Sequence, residues 1–140
     1  MKKYRFSEIE HTADFGIRVW AENEKILFEK CAEIFENLLV EKKNLKAKEF
    51  KRVEIEGENK EELLLNLLRE LLFIFETEKF VFKKIKIEFE NENKLILTGK
   101  GETFDPEKHK KKLNIKAITY HNFYIKKKDK GFETQIIFDV

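Results

Sequence analysis

The sequence predicts an α/β (α+β) domain with two layers, in which a mixed, mainly antiparallel sheet packs against two helices. Three observations lead to this fold class. Apolar residues alternate with polar ones in several short segments, they recur at helical spacing in two longer segments, and no internal repeat, Gly/Ser linker or low-complexity tract interrupts the 140 residues. We therefore expect one domain spanning residues 1–140.

The first predicted elements are a strand and an amphipathic helix. Phe15, Ile17 and Val19 alternate with other residues at the period of a half-buried strand. Over residues 24–40, apolar side chains recur at helical spacing, which predicts a helix with one buried face. Cys31 lies on that face and is expected to be a buried core thiol.

A short strand and a more apolar helix follow. Val53 and Ile55 predict a strand that ends at Gly57. Asn59, with Glu62 three positions later, resembles a capping box and predicts a helix over residues 60–76. Because this helix is apolar on most sides, we expect it to be the central core helix, covered on more than one face.

The last sixty residues predict two antiparallel hairpins. Apolar residues alternate with charges over residues 85–89, a turn at residues 91–93 follows, and a return strand begins at Leu95. In the second hairpin, residues 117–126 and 132–140 flank a lysine-rich turn that contains Asp129 and Gly131.

The charge balance excludes some classes of protein. Lys and Arg number 29 and Asp and Glu 27, so the net charge is only +2 although 40% of residues are charged. This balance gives no overall attraction to nucleic acid or to an anionic membrane. One cysteine excludes an internal disulfide framework, and no apolar run approaches the ~20 residues of a membrane span. We expect a soluble, cytoplasmic protein.

The charge is unevenly distributed. Residues 106–130 contain nine lysines and two acids, so electrostatic contact with a partner is expected to be local. Aromatic residues 120, 123 and 124 are interleaved with this segment, which could bind RNA through phosphate contacts and stacking, or could be a solvated hairpin. The candidate contact residues are Lys110, Lys111, Lys112, Lys126, Lys127 and Lys128.

Two of the four aspartates have no local explanation. Asp105 and Asp129 fall in predicted turns, whereas Asp14 begins the first predicted strand and Asp139 lies in the last. If those strands meet, two carboxylates and a terminal backbone oxygen converge, a donor set that suits Ca²⁺, Mg²⁺ or Mn²⁺. The alternative is that Asp14 caps local N–H groups and Asp139 is exposed at a frayed end.

The histidines allow several roles. His11, three residues before Asp14, could be a proton carrier, a ligand or an orienting donor, or a loop histidine with a backbone partner. His121 lies on a predicted strand and could approach the same carboxylates, or be structural. His109, within the lysine-rich segment, is expected to be solvated. The sequence has no glycine-rich phosphate loop and no CxxC motif.

Taken together, several segments resemble the archease family over essentially the whole chain. They are HTAD (residues 11–14) with Gly16, the Leu-rich helix running into FETE (75–78), GETFDP (101–106), KAITYH (116–121) and the ending IIFDV (136–140). The resemblance implies a small α/β protein that acts as a cofactor of an RtcB-type tRNA-splicing RNA ligase. Such a protein promotes guanylylation of a ligase histidine and multiple turnover, and is not itself a ligase.

The resemblance also implies site residues and a metal. A divalent metal, typically calcium, would be bound by Asp14, Asp139 and the main-chain oxygen of Val140, with His11 adjacent to the site. His121 is also expected to be adjacent, from its place on the predicted strand. The sequence departs from the family pattern at Phe15, where a smaller aliphatic residue is expected, and at Gln135, which is neutral where some relatives have a carboxylate.

Two other classes of function stay open. One is a chaperone-like module with a tRNA cytosine-5 methyltransferase as its client. The other is a hydrolase that uses a metal site at His11 and Asp14, which would turn over substrate without a partner. Genomic adjacency to an RNA ligase or to a methyltransferase would discriminate the ligase cofactor from the chaperone-like module.

Overall fold

The two predicted helices are present at nearly the predicted positions in the computed structural model, which describes residues 3–10 and 14–140. Each begins at an asparagine N-cap, because the Asn23 side chain accepts a hydrogen bond from the Ile26 N–H and Asn59 accepts one from the Glu62 N–H, both at 2.8 Å. The elements of the described chain are β1 (Tyr4–Glu10), β2 (Asp14–Ala21), α1 (Glu24–Leu39), β3 (Glu49–Glu56), α2 (Lys60–Glu78), β4 (Phe80–Asn91), β5 (Lys94–Thr103), β6 (Ala117–Lys128) and β7 (Gly131–Asp139).

The strands form two separate antiparallel sheets. The four-stranded sheet has the order β1-β2-β7-β6, and the three-stranded sheet has the order β3-β5-β4. Every pairing among the described strands is antiparallel. The α+β class is confirmed, but the structure has two sheets where one mixed sheet was expected, because alternation shows which face of a strand is buried and not which strand is its neighbour.

The first strand, β1, was not predicted. Its apolar residues Tyr4 and Phe6 alternate with Arg5 and Ser7 but remain 43% and 46% exposed. β1 is an edge strand whose residues pair with β2 from Tyr4↔Ala21 to Glu10↔Phe15. The strand is therefore held mainly by its ladder with β2 and only partly by burial.

The core lies between the helices and the inner faces of both sheets. Each helix contacts strands of both sheets, and the Phe35 ring of α1 lies 5.6 Å from the Phe138 ring of β7, centroid to centroid. Cys31 is fully buried, which confirms the predicted core thiol. Neither α2, the longer of the two described helices, nor α1 is both long and apolar enough to cross a membrane.

Two buried glutamates attach α1 to the edge of β4. Glu36 Oε1 accepts a hydrogen bond from the Phe82 N–H at 2.7 Å, and Glu29 Oε2 accepts one from the Ile87 N–H at 2.9 Å. These bonds satisfy backbone donors that an edge strand would otherwise leave unpaired. Burial raises the pKa of Glu36 to about 8, while the hydrogen bond from Phe82 acts in the opposite direction.

The β6–β7 hairpin turns more tightly than predicted. The strands end at Lys128 and begin again at Gly131, so the turn consists of Asp129 and Lys130, both with positive φ (50° and 63°). This is the geometry of a type I′ turn. Gly131 lies in the strand and not in the turn, and a Cβ there would lie 2.7 Å from the Trp20 ring, so glycine is needed for packing.

Candidate functional site

Two aspartates meet at one end of the four-stranded sheet. Asp14 is the first residue of β2, Asp139 is the last residue of β7, and the strand register places them directly opposite each other. The Cβ atoms of such a pair are about 4.5–5.5 Å apart, and both side chains point to the same face. Asp139 is exposed and Asp14 partly so. The two carboxylates can therefore reach one small ligand from the same side.

No described residue neutralises this Asp14–Asp139 pair. Neither carboxylate has a hydrogen bond or an ion pair with any residue in the ranges 3–10 and 14–140. On the same face, Arg18 lies two rows further along the sheet, opposite Gln135. Like charges directly opposite each other are destabilising, so a bound cation would relieve the repulsion.

Gln135 engages the arginine on this face. Its Oε1 accepts a hydrogen bond from Arg18 at 2.7 Å, and its Nε2 donates to the Asn122 backbone oxygen at 3.0 Å. Between this row and the aspartates lie Gly16 and Ile137, where a Cβ on the glycine would be 2.6 Å from Ile137 Cδ1. The neutral residue at position 135 thus fixes Arg18 instead of adding a third carboxylate. Phe15, the other departure from the family pattern, is a core residue and only 8% exposed.

Of the two histidines predicted near the site, His121 is the one that the structure describes. His11 lies outside the described residues. His121 is exposed and falls in the irregular part of β6, between Thr119, which pairs with Ile137, and Tyr124, which pairs with Gln135. The β6 residue opposite Asp139 is Ala117. The register thus brings Asp14 and Asp139 together and places His121 further along the sheet.

The donor set fits a hard cation that has further ligands from elsewhere. Over the described ranges, no group of three or more His, Cys, Asp or Glu side chains could hold a metal ion. Calcium takes six to eight oxygen ligands, which include waters and backbone carbonyls as well as carboxylates. Two carboxylates on one face, with Val140 adjacent in sequence to Asp139, fit such an ion if water or a partner supplies the other oxygens.

The predicted lysine contacts lie in two places. Lys110, Lys111 and Lys112 run along the C-terminal end of α1, where the Lys112 N–H donates to the Leu39 carbonyl at 2.9 Å. Lys126, Lys127 and Lys128 end β6 beside the hairpin turn. Gly131, opposite Lys128, is eight residues from Asp139 along β7, which is roughly 27 Å at the rise of an antiparallel strand. Lys128 at the hairpin end is therefore far from the Asp14–Asp139 pair.

The expectation that His109 is solvated was wrong. His109 is only 5% exposed: its Nδ1 accepts a hydrogen bond from the Asp105 N–H at 2.9 Å, and its Nε2 lies 3.0 Å from Glu102 Oε2. Burial opposes ionisation of Glu102, but hydrogen bonds from the Lys46 N–H and His109 outweigh it, so the Glu102 pKa is lowered. The hydrogen-bond partners of His109, Asp105 and Glu102, lie four and seven residues before it. The lysines next to His109 in the sequence did not indicate that it would be buried.

The three-stranded sheet carries a mainly basic group of residues that the sequence analysis did not single out. Phe50, Arg52, Lys84, Lys86, Thr98 and Lys100 occupy two neighbouring rows of its outer face. The period-2 spacing of Phe50 with Arg52 and of Lys84 with Lys86 was a signal that could have found them. We call these six residues the basic surface.

Comparison with known proteins relates the chain to one family. Residues 6–140 match the model of the archease protein family (MTH1598/TM1083). Protein archease of Pyrococcus abyssi is 39% identical over 97% of this chain and 99% of its own length, and that of Sulfurisphaera tokodaii is 34% identical over the full length of both.

Solved structures agree with the fold. The solution structure of protein 1598 of Methanobacterium thermoautotrophicum covers 96% of this chain and 98% of its own, with a TM-score of 0.77 and 30% identity. The crystal structure of a Thermotoga maritima archease, described as a possible chaperone, has a TM-score of 0.59 and 23% identity, covering 94% of each chain. The family match over nearly the whole sequence and the full-length relatives together show that this chain belongs to the archease family.

Proposed function

We propose that this protein is a cofactor of an RtcB-type tRNA-splicing RNA ligase, which promotes guanylylation of the ligase and its multiple turnover and does not itself join RNA. The observation that carries the proposal is the cross-strand Asp14–Asp139 pair. A pair of carboxylates that repel each other, with no described counter-charge, is suited to a cation, and guanylylation is a phosphoryl-group transfer in which bound cations matter.

The chain's own part in this function is to hold and present the ion. Asp14 and Asp139 supply carboxylate oxygens, and the main-chain oxygen of Val140 supplies a further one. Calcium is our first candidate for the metal, with magnesium and manganese as alternatives. When bound, such an ion can orient and neutralise phosphoryl oxygens. Because Asp139 is exposed and ends its strand, the site lies where a partner protein can reach it.

The test is ligase guanylylation with an Asp139→Ala variant. We expect the variant to fold normally, since the carboxylate has no described partner, and to lose stimulation of the ligase. The control is Asp129→Asn in the β6–β7 turn, where asparagine tolerates the positive φ of 50°; it removes an exposed carboxylate bonded to Arg5 at 3.1 Å and should keep full stimulation. Full stimulation by Asp139→Ala would remove this carboxylate from the mechanism.

A second candidate function is a chaperone-like module that modulates a tRNA cytosine-5 methyltransferase. Its support is the description of the Thermotoga maritima archease as a possible chaperone, together with exposed aromatic side chains such as Phe50, Phe73 and Tyr120. This function predicts that the protein suppresses aggregation of the methyltransferase equally with and without a chelator. Stimulation of the ligase that is abolished by the chelator would instead favour the first proposal.

A further inference from the structure

The basic surface combines positive charge with an exposed aromatic ring. Phe50 is 63% exposed, and the register places it beside Lys100, which in turn faces Lys84. In the next row, Arg52 lies beside Thr98, which faces Lys86. Beside these residues is a shallow depression of about 440 Å³ with a lining that includes Phe50, Lys84, Lys86 and Lys100.

The three lysines of this surface have no counter-charge. Neither Lys84, Lys86 nor Lys100 has an ion pair with any residue of the described chain. The acid that reaches the rim of the depression, Glu33, pairs with Lys30 at 3.0 Å. Because Lys84 and Lys100 are directly opposite, they repel each other, and an external anion would relieve that repulsion.

The other half of the same sheet face is arranged differently. There Glu54 accepts from Lys94 at 2.7 Å and from Arg52 at 2.6 Å, and Lys94 also pairs with Glu90. Hydrogen bonds from Lys94 and Arg52 lower the pKa of Glu54 to about 2. Arg52, where the two halves meet, is therefore already paired with Glu54, whereas Lys84, Lys86 and Lys100 have no ion pair with any described residue.

We propose that the basic surface of the three-stranded sheet, formed by Phe50, Arg52, Lys84, Lys86, Thr98 and Lys100, binds single-stranded RNA. A sheet face with an exposed aromatic ring allows an unpaired base to stack, and lysines on the adjacent strands contact the phosphates. An acidic protein would also use the lysines, and stacking of a base on the Phe50 ring is the contact that distinguishes RNA from it. The choice of RNA as the polyanion rests on the proposed function.

The hairpin lysines are less suited to this role. Lys126 and Lys128 both lie near the Glu133 carboxylate, at 3.8 and 3.3 Å. Burial opposes ionisation of Glu133, but hydrogen bonds from the Tyr124 hydroxyl and Lys128 dominate and lower its pKa. The hairpin thus supplies its own anion, whereas the basic surface does not.

The test is fluorescence anisotropy of the intact protein with a short labelled single-stranded RNA between about 50 and 200 mM salt. Each lost phosphate contact reduces the salt slope of log K by about 0.7. We therefore expect the triple variant Lys84→Ala, Lys86→Ala, Lys100→Ala to weaken binding and reduce the slope by about 2. Phe50→Ala should weaken binding by about 5- to 150-fold, since it removes one stacking platform.

Two further triple alanine variants serve as matched controls, one at Lys110, Lys111 and Lys112 and one at Lys126, Lys127 and Lys128. Each removes three exposed lysines and should retain most of the binding. The proposal is overturned if wild-type protein does not bind the RNA at about 50 mM salt, or if a control variant loses binding while the Lys84 variant keeps it. Tight binding of polyglutamate that is unaffected by Phe50→Ala would assign the surface to an acidic protein instead.

Failure of the RNA-binding proposal can be distinguished from failure of the proposed ligase function. RNA binding is measured without the ligase, and guanylylation is measured without RNA. The Lys84 triple variant should still stimulate guanylylation, because it leaves Asp14 and Asp139 unchanged.

Discussion

Asp14 faces Asp139 across β2 and β7, as Lys84 faces Lys100 across β4 and β5. Both are pairs of like charges in directly opposite positions, and no described residue neutralises either. The two pairs differ in the length of their side chains and in their position within the strands. The aspartates are short and lie at strand ends, whereas the lysines are long, lie within the strands, and stand beside an exposed phenylalanine.

The difference indicates the size of the ligand that each pair suits. Short carboxylates about 5 Å apart at their Cβ atoms can share a single small ion. Long lysines spread over two rows of a sheet face, next to a ring, match an extended polyanion. The same unfavourable local arrangement, with opposite sign, therefore leads to two different proposals, and stability measurements can test whether each pair is in fact a source of repulsion.

The largest expected effect concerns a carboxylate whose surroundings exclude water. The pKa of Glu36 is about 8 in the folded protein against a usual 4.5, so the folded state holds a proton that the unfolded state releases. Stability from this group is fully present below about pH 4.5 and is lost as pH rises toward 8, by up to about 1.4 kcal/mol per pH unit.

Chemical denaturation between these pH values checks this against Glu36→Gln. The glutamine keeps an acceptor for the Phe82 N–H but does not titrate, so the difference in unfolding free energy between the two proteins should change steeply with pH. A difference that stays constant from pH 5 to 8 would contradict a buried, neutral Glu36.

The next effect concerns the aspartate pair. If it binds calcium, the free energy of unfolding should rise by about 2.7 kcal/mol at a free calcium concentration of 100 times the dissociation constant. The double variant Asp14→Asn, Asp139→Asn should show no such rise and should be at least as stable as wild type without calcium. Thermal unfolding with calcium and with a chelator measures both, and an equal calcium response of the two proteins would place the ion elsewhere.

The smallest effect concerns the lysine pair. Lys84→Glu should increase stability by a few tenths to about 1 kcal/mol, because it turns a repulsive cross-strand pair with Lys100 into an attractive one. The same substitution at Lys126, which faces Glu133, should lower stability by a similar amount. Urea unfolding of the two variants gives the comparison, and a loss of stability in Lys84→Glu would show that Lys84 and Lys100 do not repel each other.

Local patterns in the sequence predicted the helices and most strands because their causes are local. Asn59 and Glu62 mark the start of α2 within one turn, and the Asn91–Asn93 turn joins two strands adjacent in the chain. β1 was missed since Tyr4 and Phe6 are only half-buried. The division into two sheets was missed because β2 pairs with β7, more than a hundred residues away, and periodicity carries no information on partners.

The candidate site was predictable to the same extent: its local features were visible in the sequence, and the pairing of its strands was not. The sequence showed that Asp14 and Asp139 do not lie in predicted turns. Their position opposite each other depended on the pairing of β2 with β7. The burial of His109 could not be predicted from its sequence neighbours, because its side chain is bonded to Glu102 on β5, seven residues away. The spacing of Phe50 with Arg52 and of Lys84 with Lys86 was visible in the sequence. That these residues form one surface depended on the register that sets Lys84 against Lys100 and Lys100 against Phe50.

The position of β7 has a consequence for how the protein is made. β7 is the last element in chain order, yet it lies between β2 and β6 in the four-stranded sheet. During translation, β2 and the apolar side of α1 emerge long before the strand that covers them. The nascent chain therefore exposes an unpaired edge of β2 and part of its core until β7 has been synthesised, and closure of so long a loop is slow. The four-stranded sheet should consequently be completed in one step, when β7 inserts between β2 and β6.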